Sequence, residues 1–149
     1  MAALNGIAQT AEVALSAAVT RTVMQVVAPT NLRVKLLGWG VFFDGISANA
    51  EPVQVRLLRQ TTAGTMSALT PVKMDGSLAE TLLVTALHSA SAEPTAVDVV
   101  DIIECHPQGG YEKIFPLGQE VVIQGGGRLG IECTAPAGVN VRAKMMFEE

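Results

Sequence analysis

The chain has 149 residues, of which 49% are hydrophobic, 4% aromatic and 16% charged, with a formal net charge of -4. That length supports one domain with a proper core and no need of metal or disulfide staples, and no run approaches the ~20 consecutive apolar residues of a membrane helix. The ten Lys and Arg residues stand singly, with no basic stripe, which argues against direct nucleic-acid binding. Charge is low against the roughly 25% usual in globular chains. Without a membrane span, such a composition points to oligomerisation or assembly.

Residues 1–18 are rich in Ala and small polar residues and show no clean period. They predict an N-terminal arm or short edge strand, ordered against a partner and set apart from a domain over 19–149. The start has neither the basic residues nor the continuous apolar core of a signal peptide, so residence in a cytoplasm is the default expectation. From Val19 to Val27 the chain is β-branched and alternating, a strand ended by Ala28-Pro29-Thr30-Asn31. Leu32–Phe43 is the longest strand candidate. Its apolar side changes partway, from Leu32, Val34 and Leu36 to Leu37, Trp39, Val41 and Phe43. Gly38 and Gly40 mark a bulge or bend there. The reading is a bent strand that contributes to both sheets, with Trp39 in the core.

Asp44-Gly45 is a turn, and Val53–Arg59 alternates again as a strand. The stretch from Thr61 to Ser77 reads as a long surface loop with a short strand around Val72. In Ala79–His88, Leu82, Leu83, Ala86 and Leu87 lie at helical spacing. Ser77 and Glu80 would form a capping box, so a short helix is favoured over a strand. Val97–His106 is apolar on both parities apart from Asp98, Asp101 and Glu104, which predicts a central strand. Tyr111–Phe115 is a short strand.

The chain closes with Glu120–Gln124, Arg128–Thr134 and Val139–Phe147. In the last, Val139, Val141, Ala143, Met145 and Phe147 alternate with Asn140, Arg142, Lys144 and Met146. Gly125-Gly126-Gly127 and Ala135-Pro136-Ala137-Gly138 separate the runs, and an antiparallel meander is expected. Eight or nine strands with long connections predict an all-β fold: an antiparallel β-sandwich, jelly-roll-like, with the arm and one short helix.

Chemistry is sparse. His88, Cys105, His106 and Cys133 make the minimum set for a zinc, but Cys105 and His106 are adjacent in a strand and point to opposite faces. The two cysteines read as reduced core residues that would pair only if neighbouring strands brought them together. Gly125-Gly126-Gly127-Arg128 lacks the following helix that phosphate loops lead into, so it reads as a hairpin turn. Asp98, Asp101 and Glu104 form a solvated or interface face, not an acid–base pair. No catalytic residue, metal or cofactor is expected.

Three segments together carry a resemblance: Leu36–Gly45 (LLGWGVFFDG) with Pro52–Arg59, Gly64–Thr95 with its ALTPVK and AEPT phrases, and Pro116–Glu149. In pattern and loop phrases the chain resembles the head decoration, or cement, proteins of tailed bacteriophages. The resemblance implies a jelly-roll-like sandwich on the outside of a virion, made in the host bacterial cytoplasm. Its partners would be the major capsid protein and itself, as a homodimer or homotrimer, with neither nucleic acid nor membrane contacted directly. Expected contacts are Ile7, Val13 and Leu15 of the arm, Met66 and Leu69 of the 61–77 loop, and Leu82, Leu83 and Leu87 of the 79–95 segment. The competing reading is a receptor- or carbohydrate-binding module of a phage particle. It would depend on Trp39 being exposed. A cupin-type enzyme would need clustered inward His and Glu, and the two histidines are separated.

Overall fold

The structure is a computed structural model that describes residues 3–76 and 79–149. The alternating runs near residues 20–27, 53–59, 128–134 and 139–147 are strands, because alternation places one face on a core. Thirteen strands lie among these residues: β1 (Asn5–Gln9), β2 (Val13–Leu15), β3 (Thr20–Val27), β4 (Val34–Phe43), β5 (Val53–Gln60), β6 (Thr65–Leu69), β7 (Val72–Lys73), β8 (Thr85–Ala92), β9 (Ala96–Cys105), β10 (Gly110–Ile114), β11 (Val121–Ile123), β12 (Arg128–Thr134) and β13 (Val139–Glu148). The first sheet has the order β10-β4-β13-β1-β7, with β11 also on β4 and β2 also on β13. The second runs β6-β8-β3-β12-β5-β9. Every pairing is antiparallel. The protein is thus the expected all-β sandwich. β3, β4 and β5 alternate between the sheets, as do β11, β12 and β13, which is the jelly-roll-like part of the winding.

The alternating positions of the last two strands meet in the middle. Leu129, Ile131 and Cys133 of β12 face Val141, Ala143, Met145 and Phe147 of β13, all buried in one cluster with Met24, Leu36, Trp39 and Leu57. Each fully buried large side chain contributes about 1.5–3 kcal/mol relative to exposure. On β4 the buried side changes as expected. Gly38 pairs with Met146 and Leu36 with Phe147, so Leu37 is an extra residue without a partner on β13. Val34 and Leu36 before this bulge, and Trp39, Val41 and Phe43 after it, all reach the core.

Several expectations differ from the structure. β4 stays in the first sheet along its whole length, because the bulge changes which side chains face inward without changing the neighbour strand. The three C-terminal runs do not form a meander. β11 pairs with β4, β12 with β3 and β5, and β13 with β4, β1 and β2. Turn residues set where a strand ends, but burial sets what it pairs with. The turn at Gly125–Gly127 therefore crosses between sheets and is not a hairpin.

The stretch expected to be an arm or short edge strand runs as two strands, β1 and β2, on β13, with Ala8, Val13 and Leu15 in the core. Thr10 bridges the two. Its amide donates to Ala143 O at 2.9 Å and its hydroxyl accepts from Ala143 N at 3.0 Å. No helix occurs among the described residues. Residues 85–92 are β8, held between β3 and β6, where two ladders override helical spacing. The proposed cap at Ser77 lies outside the described residues. β9, expected to be central, is an edge strand on β5 alone, with Val97, Val99, Val100 and Ile102 exposed.

The outer face of the second sheet is covered by its own connections. The loop from β5 to β6 and the one from β8 to β9 must both cross β3 and β12. Beneath them Thr22, Gln25 and Gln60 are buried although their parity is outward. They form a one-way hydrogen-bond chain. Arg128 Nη1 donates to Gln25 Oε1 (2.9 Å), Gln25 Nε2 to Gln60 Oε1 (2.6 Å), Gln60 Nε2 to Thr22 Oγ1 (3.0 Å) and Thr22 Oγ1 to Glu93 Oε2 (2.6 Å). The same Glu93 oxygen accepts from Thr22 N at 2.8 Å, where a register shift interrupts the β3–β12 ladder. Running from a cation to an anion, the chain satisfies buried polar atoms that would otherwise cost about 1–3 kcal/mol each.

Gly130 makes room for it, since a Cβ there would lie 2.3 Å from Gln60 Oε1. Gly130→Ala is therefore expected to lower stability by about 1–3 kcal/mol. The effect should be markedly less than additive with Gln60→Ala, because both break the same chain. Urea unfolding of the two single variants and the double variant checks this, and full additivity would dissociate Gly130 from the network.

Cys105 and Cys133 are both free and buried, as expected. β5 lies between their strands, so they are about 10 Å apart by strand spacing alone, beyond the roughly 7 Å reach of a disulfide. Burial pushes both thiols up from their ordinary pKa. Neither should react with Ellman's reagent in the native protein, and both should react in denaturant; rapid labelling of the native state would contradict the assignment.

Candidate docking face

On the first sheet the residues opposite in parity to the core point away from the second sheet, and one row of them runs across five strands. In register they are Val72 on β7, Ile7 on β1, Met146 on β13, Gly38 on β4 and Ile114 on β10. Four of the five are apolar side chains. At Gly38 the gap is closed from both sides. A Cβ there would lie 2.6 Å from Ile114 Cδ1 and 2.9 Å from Met146 Cε. Five strands at ~4.8 Å spacing make this an apolar stripe about 19 Å across. Its two ends stand clear, with Val72 62% and Ile114 58% exposed.

Rows of charge border the stripe. Lys144 Nζ meets Glu112 Oε2 at 2.7 Å on one side and lies 5.4 Å from the Phe42 ring centroid. Lys35 Nζ lies 3.8 Å from Glu148 Oε1 on the other. Exposed ion pairs of this kind add little stability. An apolar centre with a polar rim is instead the anatomy of a protein interface.

At its β7 end the stripe runs into a cleft of about 650 Å³, lined by Leu69, Val72, Leu82 and Leu87. Met74 and Leu83 are both about 60% exposed nearby in sequence. The Glu149 carboxylate holds this segment by accepting from Leu83 N and Val84 N, each at 2.8 Å.

The structure thus brings some of the expected contact residues together and places others apart. Ile7 lies in the stripe. Leu69, Leu82 and Leu87 share the adjoining cleft, and Leu83 is exposed beside them. Met66, half-buried on β6, lies in the second sheet and lines neither feature. Val13 and Leu15 are each only 3% exposed. They pack the chain's own core, so they have no surface to offer a partner. Sequence reading missed Val72, Ile114 and Met146. The signal was present for Met146, an apolar residue on the same parity as Arg142 and Lys144.

Trp39 is fully buried, with its ring 5.5 Å from Tyr111 and tilted by 52°. Its Nε1 has no hydrogen-bond partner among the described residues. Among those residues no three of His, Cys, Asp or Glu are placed to share a metal ion. His88 Nδ1 bonds Ser89 Oγ at 2.9 Å, and His106 Nδ1 accepts from Gln108 N at 3.2 Å. Of the acidic cluster, Asp101 pairs with Lys113 at 2.9 Å, which ties β9 to β10 across the sandwich edge and raises the lysine above its ordinary pKa. No protein-family model matches the chain, and no curated protein matches it.

A second cleft, of about 750 Å³, lies among the loops that join the sheets at one end, with Leu15 and Val53 among its lining residues and the almost fully exposed Ile46 beside them. Asp44 and Asn140 clamp its wall. The Asp44 carboxylate accepts from Asn140 Nδ2 at 2.9 Å and Asn140 N at 3.0 Å. These bonds, the side-chain one first, hold Asp44 below its ordinary value of 3.8. A depressed folded pKa means the clamp's stabilisation is present above the unfolded value and lost as pH falls through the lower folded one. Asp44→Asn is expected to flatten stability against pH below about 4. Urea midpoints measured across that range, unchanged in slope between the two proteins, would show the clamp to be unlinked to acid unfolding.

Proposed function

We propose that this chain is a structural assembly protein of the decoration, or cement, class. It would sit on the outside of a viral head and bind the major capsid protein and further copies of itself. The observation that carries the reading is the apolar stripe from Val72 through Ile7 and Met146 to Ile114, exposed at both ends and bordered by ion pairs. An apolar row across five strands with ion pairs along its borders is suited to lie on a protein lattice. The low charge and the resemblance of Leu36–Gly45, Gly64–Thr95 and Pro116–Glu149 to head decoration proteins support the same function.

Mechanically, a protein that binds only an assembled lattice stabilises it by linkage, by about 2.7 kcal/mol per copy when its free concentration is a hundredfold above Kd. The stripe supplies desolvated apolar area. The flanking Lys144–Glu112 and Lys35–Glu148 pairs can exchange partners with charges on the lattice and set register. The sugar-binding alternative is weakened by the burial of Trp39, since the single tryptophan has no face open for stacking.

Sedimentation of native-source material through a sucrose gradient tests the reading. The chain should travel with large particles, at a copy number comparable to that of the major coat subunit. Ile114→Glu and Val72→Glu, at the two exposed ends of the stripe, should leave unfolding within about 0.5 kcal/mol, as surface substitutions do, and lower particle occupancy at least tenfold. A wild-type chain that remains at the top of the gradient alongside intact particles would sink the proposal. Full occupancy by both variants would move the interface elsewhere.

A further inference from the structure

At one end of the sandwich, three arginines distant in sequence line a single cleft of about 560 Å³: Arg33 ahead of β4, Arg59 near the end of β5 and Arg128 at the start of β12. Asp98 and Gln124 share the lining. Three guanidinium charges against one carboxylate leave the cleft two charges positive, in a chain that is negative overall. We propose that this cleft is a binding site for a compact oxyanion of about two negative charges, of the phosphate-monoester or dicarboxylate class. The proposal is independent of the assembly reading.

The geometry favours recognition over chance crowding. Two of the guanidinium groups are anchored from behind. Arg59 Nη1 donates to Val122 O at 2.9 Å, and Arg128 Nη1 donates to Gln25 Oε1 at 2.9 Å. Gln25 is itself buried and held by Gln60, so Arg128 is the outer end of a rigid chain. Each of these arginines spends one nitrogen on its anchor and keeps the rest of its five-donor fork. Arg33 is exposed and has no hydrogen-bond or ion-pair partner among the described residues, which leaves its whole fork available. Preorganised donors lose little freedom on binding. Like charges around one cleft repel one another until a counter-anion arrives.

The glycine turn before Arg128 does not supply the donors. Gly126 N donates to Pro29 O at 3.0 Å and Gly127 N to Gln124 O at 2.8 Å, so recognition rests on side chains and not on a backbone cradle. The volume suits a small ligand, and three arginines around one cleft, with no basic stripe leading away from it, suit a single anionic group and not the repeated phosphates of a nucleic-acid strand.

The full-length protein would be titrated at low ionic strength with inorganic phosphate and, separately, with succinate, reading backbone amide and arginine side-chain NMR shifts. Saturable shifts confined to the cleft are expected with at least one probe, and the probe that saturates identifies the class. Arg33→Ala, which removes no hydrogen bond or ion pair among the described residues, should weaken binding about tenfold or more, as should Arg59→Ala. Arg33→Lys keeps charge without the fork and should fall between Arg33→Ala and wild type. Asp98→Asn should tighten binding several-fold by removing the opposing carboxylate. The absence of saturable shifts with either probe, or an affinity unchanged in folded Arg33→Ala, would overturn the proposal.

Discussion

The pairing of β4 with β13, with its one extra residue at Leu37, is the constraint on which both faces of the first sheet depend. A strand has period two, so a one-residue slip sends every later side chain to the opposite face. Before the bulge Val34 and Leu36 point inward; after it Trp39, Val41 and Phe43 do. Without the slip the core would lose its largest side chain, or the earlier half of the strand would turn its leucine and valine out. The same bulge brings Gly38 to the outer surface, directly between Met146 and Ile114. The absence of a side chain there lets the two apolar neighbours meet. Core and docking stripe are thus opposite consequences of one backbone irregularity.

The two outer faces then take different solutions. On the second sheet, the crossing loops lie over β3 and β12. The buried polar chain from Arg128 to Glu93 keeps donors and acceptors satisfied beneath them. Gly130 is needed for the same kind of reason as Gly38, a close approach of a neighbouring side chain, but here the neighbour is an amide and the site is closed. On the first sheet the central row is apolar. Exposed apolar side chains lie on the first sheet's stripe and also along β9, the edge strand of the second sheet.

The arginine cleft adds a third use of the fold. Each of its cations is isolated in sequence, and each comes from a different strand end or loop. They meet because β4, β5 and β12 all have their relevant ends at one pole of the sandwich. The buried glutamine chain therefore does two things: it seals the space under the crossing loops, and it holds Arg128 toward the cleft.

The sequence by itself determined the fold class, most strand positions, the parity of β12 and β13, the burial of Trp39 and the slip on β4. All of these follow from local alternation and from glycine placement, which act within a few residues. It also marked Ile7 and the leucines near 69 and 82–87 as apolar residues in polar surroundings. Tertiary structure alone decided the pairing of strands, which turned an expected meander into strands that alternate between sheets. It also turned an expected arm into part of the core and an expected helix into β8, because two flanking ladders outweigh local spacing. The edge position of β9 was illegible for the same reason: an apolar edge and an apolar centre read alike along a chain. The stripe and the arginine cleft each join residues dozens to more than a hundred positions apart. Local pattern has no means to encode which distant residues share a row or a pole; the register of the ladders sets the first and the crossing of the sheets the second.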